Sequence, residues 1–306
     1  MYKILSIDGG GIKGVFPASF LASVEETLGE DIAEYFDLIV GTSTGGIIAI
    51  ALGLGISPRD ILSFYEKHGP QIFKGNSIYR MLRHFGYPKY EREPLEKALR
   101  EIFGDRKLGD SSKRLVIPSF NLSTGEVYVY KTAHHERLQR DYKEFAVDVA
   151  LATSAAPTYF PTFTTSAEIP LVDGGIWANN PMGMSAVEGI GILSWPREEI
   201  KILSIGCTAE TLNVSNDGGK IPWALKLADV FMASQSSASL GTAQLLVGHE
   251  NVKRINPVVP NRRFGIDVVK GISALKGLGS SEARKEYPNI QIFFQEKAES
   301  FEPIYR

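Results

Sequence analysis

The sequence predicts an α/β fold with a mostly parallel central sheet covered on both faces. Two observations carry that reading. Short apolar runs alternate with segments of helical spacing from one end of the chain to the other. Several of those runs, Lys3–Ile7 and Phe36–Val40 among them, are continuous, as strands buried on both faces are. The 306 residues, 43% of them hydrophobic, are enough for one large core of this kind or two modest ones.

Lys3–Ile7 reads as a buried strand ending at Asp8. Val15–Leu28 has helical spacing, with Phe16, Phe20, Leu21, Val24 and Leu28 on one side. Phe36–Val40 is a second strand. Gly45–Leu54 is an apolar helix that must pack on several sides. Ser57 is placed to cap a helix that Pro58 opens. Glu93–Phe103 is helical, and Arg114–Leu122 and Glu126–Lys131 are strands flanking a turn at Ser123–Gly125. Phe145–Ser154 is a small-residue helix closed by Pro157. Ile169–Val172 is a short strand and Met182–Leu193 a helix. Lys201–Gly206 is a strand, Trp223–Val247 a long helix and Val252–Ile255 a last strand. Ser280–Ala298 closes the chain as a helix broken near Pro288. The pentapeptide KILSI stands at 3–7 and again at 201–205 with different flanks, so these are two similar core strands and not a repeat. No low-complexity linker divides the chain. One domain over 1–306 is expected, with a motif-bearing core at about 3–206 and a C-terminal region over 207–306.

A net charge of −2 and a pI near 6.3 give no general attraction to nucleic acid polymers. The single cysteine, Cys207, allows no intrachain disulfide; ending an apolar strand, it reads as an inert buried thiol. The first strand starts at Tyr2, leaving no room for a signal peptide, so a reducing cytoplasm is the expected location. The longest apolar stretch, Gly45–Ile56, is too short to span a bilayer. Any membrane contact is therefore expected to be peripheral.

Ligands of open parallel sheets sit at the carboxyl ends of the strands. That rule points at three loops: Asp8–Gly14, Gly41–Gly45 and Asp173–Gly175. The second is G-x-S-x-G, Gly41-Thr42-Ser43-Thr44-Gly45, between a strand and a helix. A serine there stands on a tight turn with its Oγ exposed, and the helix N-terminus favours a developing oxyanion. The alternative is a glycine-rich turn in which Ser43 merely caps the helix.

The first loop, "SIDGGGIKG", spells G-x-G-x-x-G through Gly9, Gly11 and Gly14, the fingerprint of a dinucleotide site. Such a site needs an acid at the end of the second strand for the ribose. Asp37 lies at the start of that strand instead. The backbone N–H groups of Gly10 and Gly11 therefore fit an oxyanion hole facing Ser43 better than a phosphate cradle. Among His68, His84, His134, His135 and His249, only His249 comes late enough for a triad, and it follows a helix end as a cap or solvated group would. His134 and His135, in "TAHHER", read as solvated. The better base is Asp173, at the end of a short strand and followed by Gly174 and Gly175. Its alternative is an ordinary Asp-Gly turn.

"DGGGIKG", "GTSTGG", "ATSAAPTYFP" and "DGGIWANNP", in this order and separation, resemble the patatin-like phospholipase family. The likeness is tight from Lys3 to about Pro181 and looser through Lys201–Gly206 and Val252–Pro257. It implies a three-layer α/β/α fold, lipid acyl hydrolysis without calcium or any cofactor, and a Ser–Asp dyad. The dyad would be Ser43 as nucleophile and Asp173 as general base, with Gly10 and Gly11 as oxyanion hole. Lys13 stands where the family often has arginine, so a bidentate role there is lost. The compact layout further resembles the patatin-like effectors of bacterial antiphage signalling, which a cyclic di- or trinucleotide switches on. With that likeness, Lys13, Arg80, Arg83, Arg254, Arg262 and Arg263 are candidate phosphate contacts. The basic and aromatic stretch Gly69–Arg92 is either a membrane-facing lid or a solvated insertion. Trp177 and Phe160 flank the site as acyl-pocket or core residues. Membrane phospholipid is the expected substrate, and an oligomer is compatible with the chain. A lipid-binding protein without activity and a dinucleotide-dependent oxidoreductase are the competing functions. Keeping both Ser43 and Asp173 argues against the first, and the missing ribose acid against the second.

Overall fold

The computed structural model describes residues 1–74, 86–211, 220–260 and 263–306. Arg80, Arg83, His84 and Arg262 lie outside the described residues. At the centre is β1 (Tyr2–Ile7), flanked in parallel by β2 (Leu38–Gly41) and β7 (Ile200–Ile205). The two KILSI segments are neighbours in register: Lys3 faces Lys201, and so on to Ile7 facing Ile205. Beyond β7 lies β9 (Val252–Ile255), and beyond β2 lies β3 (Arg114–Asn121), both parallel. On the far side the sheet turns antiparallel through β4 (Glu126–Lys131), β5 (Phe163–Thr164) and β6 (Pro170–Asp173), so the sheet is mixed around a parallel centre. A separate parallel ribbon pairs β8 (Ala209–Glu210) with β10 (Val258–Val259).

One register detail positions the chemistry. β4 occupies one edge of β3 from Val116 to Asn121. β2 pairs with β3 up to Val40–Val116, and β6 pairs with it from Asp173–Ser119 onward. Since β4 already fills the first edge, β2 and β6 must share the second. They run in opposite directions along it, so their carboxyl ends converge across three residues of β3, a gap of about 10 Å.

The helices cover both faces of the sheet. α1 (Val15–Leu28), α2 (Thr44–Gly53), α3 (Pro58–Ile72), α4 (Glu93–Phe103) and α5 (Ala146–Thr153) contribute to the larger apolar cluster. α7 (Met182–Gly191) and the C-terminal half of α8 (Lys220–Val247) build the smaller one, with Met182, Ala186, Ala243 and Val247 packed on Ile4, Leu38 and Ile202. A short α6 (Gly175–Ala178) follows β6 directly. Every residue of α2 is buried, which is why its sequence carries no polar face. Ser57 caps α3 as expected, its Oγ accepting the Asp60 N–H at 3.2 Å.

Two expectations are corrected. The last helix, α9, spans Ile272–Ile290 and not Ser280–Ala298. The helix begins before Gly277 and Gly279, and Gly279 is a packing notch: a Cβ there would lie 2.6 Å from the Phe16 carbonyl oxygen of α1. Pro288 sits in the last turn and the helix ends two residues later. His134 is buried, not solvated. Its Nε2 is 2.9 Å from Glu188 Oε1 of α7 and its Nδ1 is 2.9 Å from Thr132 Oγ1. Lys131 completes the cluster on the other Glu188 oxygen at 2.5 Å. The partner is 54 residues away in the chain, so the local "TAHHER" composition held no trace of it.

The α1–α9 notch gives a first test. Gly279→Ala forces a contact with backbone that cannot yield, and about 1–3 kcal/mol of stability should be lost. Urea denaturation reads this. An unchanged midpoint would show that the helices have room to part.

Candidate active site

Ser43 lies on the turn between β2 and α2. Its backbone sits at φ 55°, ψ −122°, a region costly for any residue with a side chain. The turn is held there by its neighbours. Gly45 N–H donates to the Thr42 carbonyl at 2.7 Å, and Ser43 N–H donates to Thr153 Oγ1 at 3.0 Å. Thr153 in turn donates to the Pro118 carbonyl at 2.6 Å, tying the turn to α5 and β3. The elbow glycines are there for space: a Cβ on Gly41 would lie 2.1 Å from the Gly45 carbonyl oxygen. Although Ser43 is the N-cap residue of α2, its hydroxyl makes no capping hydrogen bond. That removes the capping alternative.

Asp173 ends β6 and is 5% exposed. Its carboxyl accepts the Gly175 N–H at 2.7 Å, and the Ser43 side chain lies beside it. Burial pushes its pKa up to about 6, while the bonds from Ser43 and Gly175 hold it from rising further. Ser43 itself is 8% exposed. Gly174 is pressed against β3, where a Cβ would lie 2.4 Å from the Pro118 carbonyl oxygen.

The first loop closes over the serine. A Cβ on Gly9 would lie 3.1 Å from Ser43 Cβ. Gly9 N–H donates to the Asn179 carbonyl at 3.0 Å, and Ile12 N–H to the Ile266 carbonyl at 2.8 Å. Between these anchors, the N–H groups of Gly10 and Gly11 donate to no group among the described residues. Gly11 adopts φ +58°, and a Cβ on it would strike the Ile266 carbonyl oxygen at 2.2 Å. Gly14 and Gly45 lie in the same close-packed shell, against Thr44 and the Ile7 carbonyl.

Several residues that hold the site together carried no assignment from sequence. Thr153 and Asn179 lie inside "ATSAAPTYFP" and "DGGIWANNP", so the signal was present without a role. Asn179 bonds to Gly9 through its backbone and, at 3.3 Å, through its side-chain amide. Asp8 and Arg254 are a third case. Arg254 of β9 grips both Asp8 oxygens, Nη1 at 2.7 Å and Nη2 on the other, and Nη1 also reaches Ser204 Oγ at 2.7 Å. Its fork is turned inward and filled, so Arg254 is not part of an open basic cluster with Arg263. Arg263 is exposed and lies over the Phe264 ring at 5.2 Å. Lys13 is half-buried in the turn after the glycine loop. Cys207 is buried, with its Sγ 3.4 Å from the Asp8 carbonyl and its pKa pushed up to about 12 by burial, as an inert thiol requires. Trp177 donates its indole N–H to the Ser119 carbonyl at 2.8 Å, and Phe160 packs at tilted ring angles against Phe73 and Tyr90. His68 pairs with Glu101 at 3.3 Å and His249 is exposed after α8. Neither contributes to the environment of Asp173.

The sheet and the site define a hydrolase built on an α/β scaffold. The chain belongs to the patatin-like phospholipase family, whose model matches residues 5–185. A cGAMP-activated phospholipase of Pseudomonas aeruginosa (strain BWHPSA011 / Pa011) is 30% identical over 318 residues, covering 99% of this chain and 94% of that protein. A cGAMP-activated phospholipase of Vibrio cholerae serotype O1 (strain ATCC 39315 / El Tor Inaba N16961) is 34% identical over 80% of this chain and 76% of its own. Another, from Escherichia coli (strain TW11681), is 35% identical over 70% of this chain and 64% of its own.

The Asp8–Arg254 pair carries a prediction. Arg254→Met leaves a buried carboxylate without its partner and should cost about 3–5 kcal/mol. Arg254→Lys keeps the charge but not the fork, so the loss should be smaller. Chemical denaturation of both variants measures this. If Arg254→Met is as stable as the wild type, the pair does not hold the loop.

Proposed function

We propose that this protein is a phospholipase that cleaves fatty acyl esters of membrane glycerophospholipids through an acyl-enzyme at Ser43, and that a cyclic nucleotide switches it on. The observation that carries the chemistry is the Ser43 side chain beside the buried Asp173 carboxyl, whose pKa burial pushes up to about 6. In water a carboxylate is too weak a base for a serine hydroxyl, with a reference pKa near ~3.9. Desolvation strengthens it while leaving it largely ionised at neutral pH, which is where a general base works best.

Asp173 takes the hydroxyl proton as Ser43 Oγ attacks the ester carbonyl carbon. The carbonyl oxygen becomes an oxyanion facing the Gly10 and Gly11 N–H groups, with the N-terminus of α2 adding positive potential. When the tetrahedral centre collapses, the C–O bond to the leaving alcohol breaks and Asp173 returns the proton to it. Water then repeats the sequence on the acyl-enzyme: Asp173 accepts its proton, and the fatty acid leaves with Ser43 restored. No histidine is needed. A lipid-binding protein without activity would have no use for a strained, uncapped serine beside a desolvated carboxyl. A dinucleotide enzyme is opposed by Asp37, whose carboxylate is engaged at 2.7 Å by the Lys3 N–H at the wrong end of β2.

The proposed switch rests on the relatives, which carry cGAMP activation in their names. An enzyme that degrades the membrane of its own cytoplasm must be held inactive until needed, as an antiphage effector would be. Lys13 and Arg263, with Arg80, Arg83 and Arg262, are the proposed sources of phosphate contacts.

Ser43→Ala and Asp173→Asn should each remove roughly 10³-fold or more of the activity in folded protein. His68→Ala and His249→Ala should keep most of it. The acid limb of kcat/KM should fall as pH drops through about 6, because Asp173 must be ionised to act. Near-normal turnover by Asp173→Asn, or a limb unmoved from the ordinary carboxylate range, would reassign the base.

Calorimetric titration beside lipid-product mass spectrometry tests the switch. Low basal hydrolysis, rising with cGAMP or a related cyclic nucleotide, is expected. Moving a two-state equilibrium from ~1:99 to ~99:1 requires about 5.5 kcal/mol of differential binding, within reach of several charge-assisted phosphate contacts. Full activity without nucleotide, and no binding across a panel, would leave a constitutive lipase.

A further inference from the structure

One row of α8 changes character along its length. Trp223, Leu227, Phe231, Gln235 and Ser239 are spaced i, i+4, a row that slants by about 40° per step around the helix. The C-terminal members are docked on the loop that follows Asp173. Gln235 Oε1 accepts the Asn179 N–H at 2.6 Å. Ser239 Oγ accepts the Gly183 N–H at 2.8 Å and donates to the Asn180 carbonyl at 2.7 Å. The N-terminal members are apolar and face solvent: Trp223 is 39% exposed, Leu227 42% and Phe231 61%, with Met232 at 37% beside them. Ile176 of α6, three residues after Asp173, is 46% exposed. At 1.5 Å rise per residue, Phe231 stands about 6 Å and Trp223 about 18 Å from Gln235 along the axis. An apolar strip therefore runs outward along α8 from its contacts with the chain that follows Asp173.

We propose that this strip is the surface that settles on the bilayer: Trp223, Leu227 and Phe231, with Ile176, enter the acyl boundary of a phospholipid membrane and hold Ser43 over it. This rests on the phospholipase reading above. The occupant follows from the site. Ser43 is nearly buried, and an ester in a bilayer reaches it only if the mouth lies against lipid. The strip is continuous with that mouth through Gln235 and Asn179, so what covers one covers the other during reaction. Its chemistry also fits. Tryptophan and phenylalanine settle at the boundary between headgroups and acyl chains. The whole of α8 carries only Lys220, Lys226 and Asp229 as charges, so attachment through it is apolar and does not require anionic lipid.

The test uses the full chain with cGAMP present and vesicles of phosphatidylcholine. The Trp223 emission should shift to the blue on vesicles, and Trp223→Phe should abolish that shift. Partition should change little with salt. The double variant Leu227→Ser, Phe231→Ser should lower vesicle partition and vesicle hydrolysis by about tenfold or more, and Ile176→Ser should lower both in the same direction. Hydrolysis of a water-soluble monomeric ester, p-nitrophenyl butyrate, should stay within about twofold. Wild-type partition by the double variant, or no shift from Trp223, overturns the proposal. So does a solution dimer that the double variant splits while vesicle binding persists, because the strip then belongs to a second copy. Failure of the underlying reading looks different: the wild type would cleave neither substrate, and a fluorophosphonate would not label Ser43.

Discussion

The candidate site depends on one edge of one strand. β3 gives an edge to β4 along Val116–Asn121, which leaves its other edge to be shared by β2 and β6 running in opposite directions. Two strands arriving head to head cannot both continue. Each must turn away, and the turns put Ser43 at one end and Asp173 at the other. A wholly parallel sheet would carry both carboxyl ends to the same rim but would not aim them at each other. The antiparallel excursion β4–β5–β6 is what converts a parallel sheet into a facing pair.

Facing is not enough, because both groups are held in states that cost free energy. Ser43 has a positive φ, and Asp173 is a carboxyl removed from water. Such states persist only where the surroundings over-determine them. Here Thr153 fixes the serine turn, Gly175 bonds the carboxyl, and Asn179 stitches the Asp173 loop to the glycine loop. Arg254 anchors the start of the glycine loop through Asp8 from the far strand β9. The C-terminal quarter of the chain is thus a structural part of the site, through Arg254 and the Ile266 carbonyl, although the family motifs end near Pro181.

The burial that, on the proposed mechanism, strengthens Asp173 as a base also restricts how lipid can arrive. A buried pair needs substrate delivered from a surface, and α8 joins the two requirements: one half is hydrogen-bonded to the Asp173 loop, the other half is apolar and exposed. On the proposed reading, lipid contact at the outer half and site geometry at the inner half belong to one helix.

Most elements and the candidate pair can be read from local sequence. Period and punctuation located β1, α2, β7 and the start of α3 to within a residue or two, since helical and extended periodicity and Ser57-Pro58 capping are local. Ser43 and Asp173 were legible because each stands at a strand end in a glycine-flanked turn, where spacing alone encodes the need for close backbone approach. Tertiary structure decided what depends on distant partners. Glu188 turns His134 from a solvated residue into a buried one across 54 positions. Asp8 takes Arg254 from among the candidate phosphate contacts across 246. α1 makes Gly279 a packing notch inside α9, eight residues into a helix expected to begin only at Ser280. For His134 and Arg254 the side chain's own chemistry allowed two environments, and only long-range packing chose between water and a partner; for Gly279 it chose where a helix could pass close to another.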